Sequence, residues 1–394
     1  MDILIAIFSL LLLAIILGSI FEKLGYPSVI GEIIAGIILG PSVLNFVIPD
    51  KVISGLSEIS LFFIVLLIGV EATTDTMVKN LKKGSILTLT SFIVPLLVII
   101  ISLKFIFSSV GTSGIALAIS IAVPSISIVS VMLGNLDLLK VEAGNAILAS
   151  VIITDILAFT MVSAIIDFKK IYIETSALVI FIILIYVIDI YLRKNSRSVL
   201  SFFEKLRSGA KSEKLVFGSI ILSGLIISTL FEFIGITYVL GAFFAGILIS
   251  DVVIGEDLLG IITRTLSRIN DSFFIPLFFS IAGLSFAFPD VAVLETMAVI
   301  LLGTLLVGGI GDYVAGKKLL KPFTARGTMG ILGGRGAVGI IIATISLSGG
   351  IINDQEYSAA IFATIIISFV FSSFVKKSDS PSIPVEEKAS VSGN

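Results

Sequence analysis

Apolar residues run through this chain in long unbroken stretches, and polar residues gather in short intervals between them. About thirteen stretches are long enough to cross a hydrocarbon core of roughly 30 Å. They fall at 3–20, 27–47, 53–71, 85–107, 112–134, 142–166, 171–192, 215–232, 234–250, 272–288, 291–316, 327–348 and 355–375. A membrane barrel would need alternating segments of about ten residues, and the pattern contains none. The predicted fold class is an all-α polytopic membrane protein.

Loop charge tests the count. With the N-terminus outside, Lys23, Lys79, Lys82, Lys83, Lys140, the basic run from Arg193 to Lys214, Arg264, Arg268, Lys317, Lys318, Lys321, Arg326 and the tail lysines share one side. Lys51, Lys104, Lys169 and Lys170 fall on the other, and Arg335 lies within a span. The positive-inside rule then predicts a multi-pass plasma-membrane protein, N-terminus outside and C-terminus cytoplasmic. The apolar start at Ile3 lacks a basic n-region and reads as a retained first helix.

The halves resemble each other. Gly31-Glu-Ile-Ile-Ala-Gly36 returns as Gly241-Ala-Phe-Phe-Ala-Gly246, and Leu61-Phe-Phe as Leu277-Phe-Phe, at offsets of 210 and 216 residues. Spans one to six thus match eight to thirteen. An odd shift inverts the second copy, the pattern of alternating-access transporters, although chance similarity in Leu/Ile/Gly-rich sequence is the competing explanation. Residues 1–375 form the predicted membrane domain, 194–214 a cytoplasmic connector, and 376–394 a disordered tail without a Gly-rich nucleotide fold.

Composition narrows the chemistry. The chain is 57% hydrophobic and 14% charged, against about 25% charged in soluble domains. A net charge of -2 gives nucleic acid no electrostatic basis. Without Cys or His, thiolate catalysis, imidazole shuttles and His/Cys metal sites are excluded, and proton chemistry falls to Asp and Glu.

Asp155 stands near the centre of span six, after Thr154. A carboxylate at mid-bilayer costs about 2.5–3.5 kcal/mol on insertion scales, so it faces the bundle interior or water. A group that binds either a proton or a metal cation is the minimal exchanger, and Thr154 adds an oxygen suited to a hard cation. The competing reading is a buried Asp bonded to a neighbouring helix. Span five carries Val123-Pro124-Ser125-Ile-Ser127, and 210 residues beyond Pro124, span twelve carries Gly333-Gly334-Arg335-Gly336. Paired interruptions in matching helices point to a transport site; a simple kink with packing glycines is the alternative. Arg335 either neutralises helix C-terminal dipoles or pairs with an acid. Glu71, Asp312, Glu32 and Asp189 are the remaining span acids, with Glu32 and Asp189 expected near the interface and solvated. Gly309-Ile-Gly311-Asp312 also matches the Gly-x-Gly-Asp pattern of intramembrane aspartyl proteases. The Tyr-Asp partner motif and a later Pro-Ala-Leu are missing, which makes this a remote alternative.

On Leu24-Gly-Tyr-Pro27-Ser-Val-Ile-Gly31-Glu32, Gly40-Pro41-Ser-Val-Leu, Leu67-Ile-Gly69-Val-Glu71, Gly241-Ala-Phe-Phe-Ala-Gly246, Ile275-Pro276-Leu-Phe-Phe and Gly334-Arg335-Gly336-Ala-Val-Gly339, the chain resembles the sodium/hydrogen exchanger domain of the cation:proton antiporter superfamily, in its NapA/KefC-like branch. The resemblance implies an NhaA-like fold and a homodimer. It implies a dimerisation part (spans one to three and eight to ten), a core part (spans four to six and eleven to thirteen) with two crossed broken helices, and elevator-like movement. It places the cation on Asp155, with Thr154, Ser125 and Ser127 nearby. It implies no cofactor, no enzyme activity, and Na⁺, Li⁺ or K⁺ exchanged with H⁺, Na⁺ first. Two departures stand out. Thr154-Asp155 replaces the family's Asp-Asp, Asn-Asp or Gln-Asp. Asp312 falls nearest the lysine of electrogenic members, which implies electroneutral exchange. A K⁺/H⁺ antiporter or KefC-type gated K⁺ efflux system is the alternative.

Overall fold

The computed structural model describes residues 3–24, 26–71, 80–107, 110–125, 129, 132–133, 138, 142–166, 176, 212–233, 238–248, 256–320 and 324–374. Nearly all of the predicted seventh span, the connector up to residue 211, the tail, Ser127 and Asp189 lie outside these residues.

The regular elements among them are helices: α1 (Ile3–Lys23), α2 (Ser28–Leu39), α3 (Lys51–Glu71), α4 (Leu81–Phe107), α5 (Thr112–Ala122), α6 (Glu142–Ile166), α7 (Ser212–Phe233), α8 (Tyr238–Leu248), α9 (Glu256–Ile269), α10 (Ile275–Leu284), α11 (Val291–Leu319), α12 (Ala325–Leu332), α13 (Ala337–Ser348) and α14 (Asp354–Ser372). Six of them (α1, α3, α4, α6, α11 and α14) are long and apolar enough to cross a membrane. Several helices start on side-chain caps that satisfy their first N–H groups. The Asp290 carboxylate accepts from Val293 N–H at 2.9 Å, and Asn353 and Glu356 form a reciprocal capping box. Large apolar side chains line the outside: Phe8, Phe105 and Phe233 are exposed, as a lipid solvent allows and water does not.

Three helices widen to π turns, at Leu89–Ile93, Asn270–Phe274 and Thr304–Gly308. Two of these immediately precede a proline, Pro95 or Pro276. Each proline lacks an N–H for the carbonyl four residues back and crowds that turn, and a wider turn absorbs the mismatch. The third has no proline, and the structure supplies no such local cause. The tenth span is longer than its hydropathy predicts. Its helical run begins at Glu256, because Leu259, Ile262 and Leu266 form one apolar stripe while Arg264 and Arg268 lower the average below a membrane threshold.

Extensive helix contacts fall within two groups among the described residues. One holds α1–α3 with α7–α10, the other α4–α6 with α11–α14. Glycine makes the closest approaches in the first group. A Cβ on Gly36 of α2 would lie 1.8 Å from the Ser280 carbonyl oxygen of α10, and one on Gly246 of α8 would lie 2.4 Å from the Leu66 oxygen of α3. Gly31 abuts the Leu17 and Gly18 backbone, and Gly241 abuts that of Ile227 and Ser228. Gly31 and Gly241, Gly36 and Gly246, Leu17 and Ile227, and Gly18 and Ser228 each stand 210 residues apart, so the matching segments around Gly31 and Gly241 make matching contacts.

Candidate functional site

The two interruptions meet. Helix α5 ends at Ala122, and Val123 is extended (φ −75°, ψ 127°) ahead of Pro124. Helical bonding resumes where Val129 N–H donates to the Ser125 carbonyl at 2.9 Å. Helix α12 ends at Leu332, Gly334–Gly336 are non-helical, and α13 begins at Ala337. The Ser125 N–H donates to the Gly334 carbonyl at 2.9 Å, tying one break to the other. A Cβ on Gly339 would stand 2.3 Å from the Ser120 oxygen, so α13 and α5 cross in backbone contact there. The breaks leave backbone groups without intrahelical partners, which is tolerable at membrane depth only inside protein or against water.

Asp155 lies mid-way along α6, which packs against α4, α5 and α13. Its side chain is fully buried, and neither carboxylate oxygen has a hydrogen-bond partner among the described residues. Among the described residues no charged side chain has a resolved influence on it. Among the described residues, the reading of Asp155 as a structural aspartate bonded to a neighbouring helix has no bond to rest on. The Thr154 hydroxyl, also buried, donates to the Ser150 carbonyl at 2.8 Å, one turn back on its own helix. Its oxygen keeps its lone pairs but its proton is committed. Ser125 Oγ is buried and unpartnered. The helix of Asp155 thus packs against both broken helices, and its carboxyl group has no hydrogen-bond partner among the described residues. Such a group is stable at this depth when a proton or a metal cation neutralises it.

Arg335 sits in the second break, 1% exposed. Its Nη1 donates to the Leu332 carbonyl at 2.6 Å, capping the negative end of α12. Asp312 on α11 is fully buried and near enough to Arg335 for the two charges to influence each other, without a hydrogen bond between them. Glu32 corrects the expectation of a solvated interfacial acid. It is 4% exposed, because α1 and α10 close over α2 at that turn. It belongs to a different neighbourhood, where the charges of Glu22 and Asp271 act on it. Glu71 ends α3, and its side chain lies outside the described residues.

The two ends of the groove between the helix groups differ. At one end a cavity of about 330 Å³ opens between α3, α7, α8 and α10 on one side and α13 and α14 on the other. Glu58, Glu232, Tyr238, Thr344, Ser348 and Tyr357 are among its lining residues, and the Tyr357 hydroxyl bridges the groups by donating to the Ala282 carbonyl at 3.2 Å. At the other end Tyr26 stacks on Phe369 with ring centroids 4.8 Å apart. Beside Arg335 only about 10 Å³ remains, the room of about one water.

Sequence reading missed three buried hydroxyls. Thr88 donates to the Ser150 carbonyl at 2.9 Å, joining α4 to α6 just below Asp155. Ser91 and Thr304, in two of the π turns, are buried with unpartnered oxygens. The available signal was hydroxyl residues inside otherwise apolar spans.

Comparison with known proteins agrees with this architecture. The family model described as "Sodium/hydrogen exchanger, transmembrane" matches residues 8–377. A Na⁺/H⁺ antiporter of Enterococcus hirae is 27% identical over 95% of this chain and 98% of its own length. A probable Na⁺/H⁺ antiporter of Methanocaldococcus jannaschii is 25% identical over 94% and 95%. The solved sodium proton antiporter MjNhaP1 of that organism, at pH 8, superposes with a TM-score of 0.65 at 17% identity, covering 96% of this chain and 97% of its own. A further relative, from Saccharomyces cerevisiae, is named as a K⁺/H⁺ antiporter.

Proposed function

Because the chain belongs to the sodium/hydrogen exchanger family, we propose that it exchanges a monovalent cation, Na⁺ by preference, for protons at Asp155. The family is one of transporters, which removes the protease reading of Asp312. One observation carries the assignment to Asp155: a fully buried carboxyl group with no hydrogen bond and no counter-charge among the described residues, on a helix packed against both broken helices. Deprotonated, it draws a cation; protonated, it releases one. Thr154 and Ser125 add oxygens for a hard ion, and Ser127, which lies outside the described residues, is the further candidate from the sequence.

The two contact groups support alternating access by movement of the α4–α6/α11–α14 core against the α1–α3/α7–α10 part, which would hold the homodimer. Few extensive contacts bind the groups together, so the core can slide while its internal packing persists. With the Lys/Arg-rich loops placed on the cytoplasmic side, the open cavity faces outward and the Tyr26–Phe369 stack closes the inner end. Contacts recurring at a fixed offset support an inverted repeat. Glu58 and Glu232 at the cavity would favour cation entry.

Proteoliposomes with a preset pH gradient test the function. Added Na⁺ or Li⁺ should dissipate the gradient faster than K⁺, and a failure of all three would remove the antiporter reading. Exchange at a single carboxylate moves one cation per proton, so clamping the membrane potential at different values should leave the rate unchanged. A voltage-dependent rate would instead mean unequal charge transfer. Ser125→Ala, which deletes one oxygen from the set, should raise the half-saturating cation concentration about tenfold with little change in maximal rate.

A further inference from the structure

Arg335 presents an electrostatic problem that the capping bond alone does not solve. A guanidinium keeps its charge in proteins and offers five donors. One bond, from Nη1 to Leu332, is made, while Nε and Nη2 are buried without partners among the described residues. A charge so placed requires a negative group nearby.

Three acids are buried among the described residues: Glu32, Asp155 and Asp312. Glu32 sits in the other helix group, under the influence of Glu22 and Asp271. No charged group acts on Asp155. Asp312 and Arg335 act on each other. Backbone geometry explains why. A Cβ built on Gly308 would lie 3.9 Å from Arg335 Nη2. Gly308 precedes Asp312 by four residues on α11, so the two share a helix face, and helical side chains lean toward the N-terminus. The Asp312 carboxylate therefore leans toward the spot that Nη2 faces, across a position with no side chain of its own. Neither Asp312 carboxylate oxygen has a hydrogen-bond partner among the described residues, Arg335 included, so both sides of the gap are unsatisfied.

We propose that Asp312 is the counterion of Arg335, and that the pair clamps α11 to the break between α12 and α13. The pair holds the Arg335 guanidinium on the Leu332 carbonyl, and through that turn the Gly334 carbonyl that receives the Ser125 N–H. Asp312 is a positioning residue that never binds the transported ion. The pair is neutral within itself, so among the described buried core carboxyl groups Asp155 is left as the one whose charge a travelling ion must balance. This last consequence rests on the exchange reading; the pairing itself does not.

The test is a double-variant cycle on Asp312→Asn, Arg335→Gln and Asp312→Asn/Arg335→Gln, with Asp312→Glu as the conservative variant. Thermal midpoints in detergent test the pair without reference to transport. Each single neutralisation should lower the midpoint by about 5–10 °C, and the double variant should recover most of it, because removing one partner strands a buried charge while removing both does not. In proteoliposomes Asp312→Asn should lower the maximal Na⁺-dependent rate about tenfold and leave the half-saturating Na⁺ within about twofold, with Asp312→Glu and the double variant restoring most of the rate. If a single variant does not fold, a folded double variant is the expected rescue. A double variant at least as unstable as the singles overturns the pairing, as do singles indistinguishable from the unmodified protein. A tenfold rise in half-saturating Na⁺ for Asp312→Asn overturns the positioning role, since it would make Asp312 a ligand of the ion.

Discussion

Asp155→Asn is expected to reduce cation-dependent proton flux in proteoliposomes to that of protein-free vesicles, while the protein stays folded. The amide nearly conserves the side-chain volume, so the packing of α6 against α4, α5 and α13 is undisturbed. It removes the only feature that exchange requires, a group that is neutral with a proton and negative without one. Among the described residues that group has no hydrogen bond and no counter-charge to lose. Insertion scales assign a mid-membrane Asp a cost of about 2.5–3.5 kcal/mol, so the thermal midpoint of the variant should be equal to or above that of the unmodified protein. Loss of flux with retained or increased stability is the signature of a functional group held at a structural cost. Full flux in Asp155→Asn, measured beside matched protein incorporation, would move the exchange site elsewhere.

The second large effect is on assembly. Gly36→Val and Gly246→Val should each prevent recovery of a monodisperse folded protein, or lower its stability by more than about 3 kcal/mol, the upper end of overpacking costs. The added Cβ at Gly36 would fall 1.8 Å from the Ser280 oxygen, and at Gly246 2.4 Å from the Leu66 oxygen. Both obstacles are backbone atoms of a packed helix, which no rotamer change can move. Gly55→Ala on α3 and Gly218→Ala on α7 are the controls, because nothing lies within 4 Å of a Cβ at either position. These should be neutral or stabilising by up to about 1 kcal/mol, the helix preference of Ala over Gly. Size-exclusion profiles and thermal midpoints of the four variants make the comparison. Intact assembly in Gly36→Val would mean that α2 and α10 do not cross in backbone contact.

The linear pattern anticipates some features well and others poorly. Pro124 and the Gly333–Gly336 run announce their breaks locally, since a missing donor and missing side chains act within one turn. The hydrogen bond that joins them, from Ser125 to Gly334 across 209 residues of chain, has no local trace. The start of the tenth helix at Glu256 was hidden for another reason. Averaged hydropathy counts Arg264 and Arg268 against a helix whose apolar stripe would have been visible to its periodicity. Thr88 looked like any hydroxyl in an apolar span until α6 was packed beside it.

By itself the sequence determined that this chain lives in a bilayer as helices, which two of them are interrupted, and that Asp155 stands mid-span. Those properties follow from lengths, single residue types and the cost of leaving water, all of which act along the chain. Tertiary structure decided that Asp155 has no hydrogen-bond partner among the described residues, that Glu32 is covered, that Asp312 is buried within reach of the Arg335 charge, and that a cavity opens at one end of the groove while Tyr26 stacks on Phe369 at the other. Each of these depends on which side chains a distant helix brings to the same depth, and burial and electrostatics are properties of that meeting rather than of either segment.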